Sequence, residues 1–281
     1  MTNGSSLSRR QLLAAIGGVG LLAAAPRVAG ALGREPSFTR YTYAQSVEGG
    51  PNLRVAWYER YNGALLEESN RFGGRAPLTN SSDSFNESAA AGAFVDVTGP
   101  DAVDAGPVLS IPNAHPGDEG LLVIGLRAEE ADARAWLRVT ASEFAENSLV
   151  EPEVSDGDAP TAGDPAVEGG ELQDHVDVEL WYDTGRLGVG GCNGLRDFSE
   201  EAVIGRGTLA AVDVALDGGV PLDFGVVEAA CIPEGAQRCL ALRWAIDPAV
   251  NNVIQSDSAR LDIAVAVTAC GDTTNPFEGS V

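Results

Sequence analysis

The sequence predicts an all-β fold: an antiparallel β-sandwich or jelly roll with one or two short helices and long loops. Three observations lead there. The patterned stretches alternate apolar and polar residues at a period of two, the spacing of a strand with one face on a core. Clusters of Gly, Pro, Asn and Asp separate them at short intervals, as turns do. A single stretch has convincing helical spacing, so sheet must pack on sheet.

The elements follow in order. Residues 38–47 (FTRYTYAQSV) are rich in aromatic and β-branched residues and read as a first strand. Gly49-Gly50-Pro51-Asn52 is a turn. Residues 53–61 (LRVAWYERY) put Leu53, Val55, Trp57 and Glu59 on one face, and Asn62-Gly63 ends the strand as a turn. Residues 64–106, rich in Ala, Ser, Asn, Gly and acids, lack sustained periodicity and predict a long insertion with short strands at most, such as 93–97. Strands are expected at 108–111, 120–128 and 133–144, the first two parted by the turn Pro116-Gly117-Asp118. Residues 151–170 are acidic and Pro/Gly-rich, the composition of a solvated loop. In residues 175–182 (HVDVELWY), a strand expected to start at His175, the side chains Val176, Val178, Leu180 and Tyr182 alternate with Asp177, Glu179 and Trp181. Residues 207–216 predict one short helix capped by Thr208, and 239–246 and 259–269 two more strands.

Charge narrows the function classes. The 18 basic residues are all Arg, against 41 acids. Residues 1–31 hold Arg9, Arg10 and Arg27 and no acid, so in the remainder 41 acids face 15 arginines, a balance of −26. Such a chain repels nucleic acid, which needs a basic face, and anionic lipid headgroups. Its self-repulsion is screened in molar salt, where the Debye length falls to ~3 Å. Acid excess without Lys therefore reads as halophilic adaptation.

Arg9-Arg10, followed by a run from Ala14 to Ala25 that holds only Ala, Ile, Gly, Val and Leu, reads as a twin-arginine export signal. Ala29-Gly30-Ala31 fits small-x-small cleavage, which makes 1–31 the signal peptide and 32–281 a single ectodomain with insertions at about 64–106 and 151–170. The apolar run falls short of the ~20 residues that span a bilayer, and no later stretch is longer, so no transmembrane anchor is expected in the mature chain. The expected location is extracellular or on the cell surface. Export agrees with four cysteines, Cys192, Cys231, Cys239 and Cys270. Of three possible pairings, Cys231–Cys239 across a short Pro/Gly loop, with Cys192–Cys270, is the one we expect. Zinc is disfavoured, since neither the close Cys spacing nor nearby His is present. The sequons at Asn80 and Asn86 are candidate N-glycosylation sites.

No catalytic, cofactor or metal motif is found. His115 falls in a turn and His175 at a strand start, neither in a metal-spaced cluster. There is no nucleophile elbow. The run Gly188-Val189-Gly190-Gly191-Cys192-Asn193-Gly194 superficially resembles a phosphate cradle but lacks the Lys-Ser/Thr that would follow. With 41 acids, a pair of neighbouring carboxylates in sequence carries no weight.

Three stretches together resemble the TasA/camelysin family. They are the aromatic strand, turn and Leu53-Arg54-Val55-Ala56-Trp57-Tyr58; the segment Val108 to Asp118 (VLSIPNAHPGD); and the pair Leu172 to Asp183 (LQDHVDVELWYD) and Ile254 to Ile263 (IQSDSARLDI), the last running on to Cys270. The resemblance implies a jelly-roll subunit of extracellular fibres or biofilm matrix. In that family an N-terminal strand of one subunit completes the sheet of the next, by strand addition at an open edge. Here the donor would be the mature N-terminus up to about Val47, anchored by Phe38, Tyr41 and Tyr43. The implied partners are other copies of the chain or cell-envelope components. A monomeric secreted binding module is the alternative.

Overall fold

Alternation becomes two layers because each strand must bury one face. A computed structural model describes residues 38, 40–45, 51–66, 108–111, 114–146, 170–185, 191–196, 201–224, 231–255 and 257–278, with 40–45 described by backbone alone. The strands are β1 (Arg40–Gln45), β2 (Asn52–Tyr61), β3 (Ala64–Leu66), β4 (Val108–Ile111), β5 (Glu119–Glu129), β6 (Ala133–Ala145), β7 (Val176–Tyr182), β8 (Val203–Thr208), β9 (Val220–Pro221), β10 (Gln237–Ile246) and β11 (Ser258–Ala269). Two helices, α1 (Leu172–His175) and α2 (Leu209–Leu216), lie between them.

The strands form two antiparallel sheets. One runs β1-β2-β5-β10-β7-β8, with β3 also on β2, and the other runs β4-β11-β6-β9. Their inner faces make one core. Leu53, Val55 and Trp57 of β2, Leu240, Leu242 and Trp244 of β10, and Val176, Val178 and Leu180 of β7 meet Leu137 and Val139 of β6 and Ile263 and Val265 of β11. These are the in-facing positions that alternation assigns. Full burial of such side chains stabilises by roughly 1.5–3 kcal/mol each.

Helix α2 closes one side. It follows β8, at the border of the larger sheet, and leads to β9, at the border of the smaller. Thr208 caps it, its side chain accepting from the Ala211 amide at 3.3 Å. Leu209, Val212 and Leu216 are the buried stripe. Asp213 accepts the Ala141 amide of β6 at 2.8 Å, fastening helix to strand.

Several expectations need correction. Asn62-Gly63 is not among them: it ends β2 as the expected turn, and its φ values of 46° and 80° form a hairpin that returns the chain as β3. His175 closes a helical turn, and the strand starts at Val176. Strands β8 and β9 were not anticipated, because Gly205, Gly207 and the brevity of β9 erase the period-two signal. The 93–97 segment, Arg9, Arg10, Ala29, Ala31, Asn80, Asn86 and residues 151–169 lie outside the described residues.

The disulfides also differ: Cys192 pairs with Cys239 and Cys231 with Cys270. The reason is which sheet each cysteine belongs to. Cys239 is in β10 of the larger sheet. Cys231 precedes Ile232, which bridges to Ala133 of β6, and Cys270 follows Ala269, which also pairs with Ala133. Cys231 and Cys270 thus border the same strand end in the smaller sheet. Asp183 brings the other two together: its amide donates to the Cys239 carbonyl at 2.9 Å, and its carbonyl accepts from the Cys192 amide at 3.0 Å.

Candidate functional site

The amino-terminal strand and its seat are the first candidate. β1 lies antiparallel to β2, from Arg40↔Trp57 to Gln45↔Asn52. β3 occupies the same border of β2 further along, from Glu59↔Leu66 to Tyr61↔Ala64. Two short strands therefore share the border of one ten-residue strand. Of the expected anchors, Tyr41 and Tyr43 stand in register with Ala56 and Arg54, and only their backbone is described.

Phe38 is placed in full. Its ring lies 6.0 Å from that of Tyr58 at 40°. It also lies over Gly125 of β5, where a Cβ would come within 2.5 Å of Phe38 Cζ. The sequence gives β5 a side-chain gap, and the ring fills it. Around it, Tyr58, Val123, Trp181, Cys239 and Ala241 form a small second core on the outer face of the larger sheet. This is why Trp181, on the polar side of its strand by alternation, is buried. The Cys192 loop covers the rest. Tyr58 Oη donates to the Cys192 carbonyl at 3.4 Å, and the Asp183 carboxylate accepts the Gly194 amide at 2.7 Å. Gly194 has φ +72°, and a Cβ there would collide with Leu121.

The Pro116-Gly117-Asp118 turn is structural. The Asp118 carboxylate accepts the His115 amide at 2.9 Å and the Asn62 side-chain amide at 3.0 Å, and Asn62 accepts the Glu119 amide at 2.9 Å. It ties the β2–β3 turn to the start of β5.

The second candidate escaped sequence reasoning. Glu146, Glu171 and Asp257 each bring a carboxylate oxygen to within 4.8 Å of the others. Glu146 follows β6, Glu171 precedes α1 and Asp257 precedes β11. Asp257 is fully buried, and its Oδ2 accepts the Leu172 amide at 3.1 Å. Burial pushes its carboxyl up to about 8, with the charge of Glu146 and a hydrogen bond to it acting the same way; the charge of Glu171 adds to this and its backbone amide opposes it. Residues 25 and 86 positions apart leave no local spacing to recognise, and only chain topology joins them.

Fold and sites together define an antiparallel β-sandwich fastened by two disulfides. Among the described residues, no helix is long and apolar enough to cross a membrane. No family model matches the sequence, and no curated protein matches it.

Proposed function

We propose that this chain is an extracellular structural protein of jelly-roll type, the subunit of a fibre or matrix that grows by donating its amino-terminal strand to the next copy. The observation that carries the reading is the place of β1. It is the first strand among the described residues and terminal in its sheet, held to β2 by main-chain pairing and to β5 by Phe38 over Gly125. If β1 leaves and a neighbour's β1 enters, every backbone bond and the Phe38 contact are restored between chains. The balance then depends on concentration. Intramolecular pairing competes at an effective concentration on the order of millimolar for a short linker, so growth belongs to crowded surfaces or seeded ends.

Two disulfides suit an oxidising exterior, which agrees with export through the twin-arginine route. The reading assigns no reaction to the chain and no cofactor. His115 is engaged in the turn that Asp118 organises, and His175 ends a helical turn. A monomeric secreted binding module is the second reading, favoured by the pairing of β1 within its own sheet.

Cysteines at a register pair test it. Tyr43 and Arg54 face each other across β1 and β2. In material assembled at high salt, the Tyr43→Cys/Arg54→Cys chain should give a covalent ladder on a non-reducing gel, with filaments in electron micrographs. Monomers alone, with no filaments at any concentration, sink strand donation and leave the binding module. Deletion of residues 32–47 should leave a folded monomer that caps growth.

A further inference from the structure

We propose that Glu146, Glu171 and Asp257 hold a divalent cation, calcium in preference to magnesium, as a clamp between the two sheets. The inference is independent of strand donation. One oxygen from each carboxylate lies within 4.8 Å of the other two. Ligands of one calcium ion stand about 2.3–2.6 Å from it, so oxygens on opposite sides are up to about 5 Å apart. Magnesium holds its ligands at about 2.1 Å in near-octahedral order and keeps much of its water, a shell less suited to three carboxylates fixed by separate elements than the flexible calcium shell. Three carboxylate oxygens are also the hard ligands that calcium takes.

Asp257 supplies the second observation. Its side chain has 0% exposure. Oδ2 is satisfied by the Leu172 amide, whereas Oδ1 is buried with no protein donor to meet it, and the hydrogen bond to Glu146 forms only when a proton is held between the two carboxyls. A buried carboxylate oxygen in that condition is costly until a cation or a proton meets it. The backbone beside it is shaped for close approach as well. A Cβ on Gly170 would stand 2.4 Å from the Asp257 carboxyl carbon, so a side chain at that position would invade the carboxylate.

The topology shows what a bound ion would join. Ala145 and Ser258 are the last pair of the β6–β11 ladder, and Glu146 and Asp257 come one step beyond it. Glu171 leads through α1 into β7 of the other sheet. The ion therefore bridges the smaller sheet to the larger. Glu146 and Glu171 also bracket residues 147–169, whose sequence holds six more acids and no base and raises the local concentration of cations. The ligands proposed are the three carboxylates alone.

The rival occupant is a proton shared between Asp257 and Glu146. Calorimetric titration of the chelator-treated mature chain with calcium chloride in molar potassium chloride distinguishes them, with melting temperatures taken at about pH 5 and about pH 8. We expect one saturable site, weaker for magnesium, and a melting temperature that falls between the two pH values in chelator but not in calcium. Asp257→Asn and Glu146→Gln should each weaken calcium at least about tenfold. Asp257→Asn should also remove the fall in chelator. The proposal is overturned if the parent shows no saturable uptake, if both variants bind calcium as tightly as the parent, or if the fall with pH is unchanged by calcium. The last outcome identifies the proton.

Discussion

Replacing Cys192 and Cys239 together by Ser asks how much one cross-link holds. The bridge spans a sequence separation of 47. By loop-closure entropy, a cross-link of that span constrains the unfolded chain by about 4 kcal/mol at 25 °C. The expected Cys231–Cys239 bridge would close a far shorter loop, worth about 2.5 kcal/mol on the same scale. At about 2–4 °C per kcal/mol for a chain of this size, the Cys192→Ser/Cys239→Ser variant should melt roughly 8–16 °C lower. The second core adds to the loss, since the loop that covers Tyr58 and Trp181 is then held by non-covalent contacts alone, among them the Asp183 bonds to Cys192 and Gly194 and the Tyr58 bond to the Cys192 carbonyl. The assay is denaturant unfolding of the oxidised parent and the variant at one fixed molar salt concentration, beside non-reducing peptide mapping. The dependence on denaturant should steepen in the variant, because its unfolded state is less constrained. A loss below about 1 kcal/mol with unchanged steepness refutes the reasoning, as does a peptide joining Cys231 to Cys239.

Four more outcomes are expected. Gly120→Ala places a Cβ 2.0 Å from Trp244 Nε1 in the inter-sheet core and should cost about 1–3 kcal/mol or more by overpacking, measured by chemical denaturation. Gly125→Ala and Phe38→Ala should loosen β1 to similar extents, read by hydrogen exchange at 40–45, and the double variant should add little, because both remove the same contact. In chelator, Asp257 should make stability decline with pH. Its folded carboxyl sits at about 8 and its unfolded one near ~4, so the folded chain keeps a proton that the unfolded chain has lost; the contribution is complete below the lower value and gone once pH has risen through the upper. Melting temperature should climb from dilute to molar potassium chloride as the Debye length contracts from ~10 Å to ~3 Å; a flat response would contradict the role given to the −26 charge balance.

Where a strand has one face on the core, the sequence already says so. Leu53, Val55 and Trp57 point inward because period two and apolar burial allow one register, and a slip would turn them all to solvent. Thr208 is legible for the same kind of reason, since a helix start needs a side-chain acceptor within reach of its first amides. The number and alternation of such segments determined a sandwich, and the cysteine count determined that bridges would form. Partners distant along the chain were settled only by the tertiary structure. Which cysteines meet follows from the sheet each joins, which is why Cys231 passes over Cys239 for Cys270. Phe38 finds Gly125 across a sheet, and Glu146, Glu171 and Asp257 meet where β6 ends and α1 and β11 begin. Local pattern reports which face of a segment is buried. It carries no record of which segments the folded chain sets side by side.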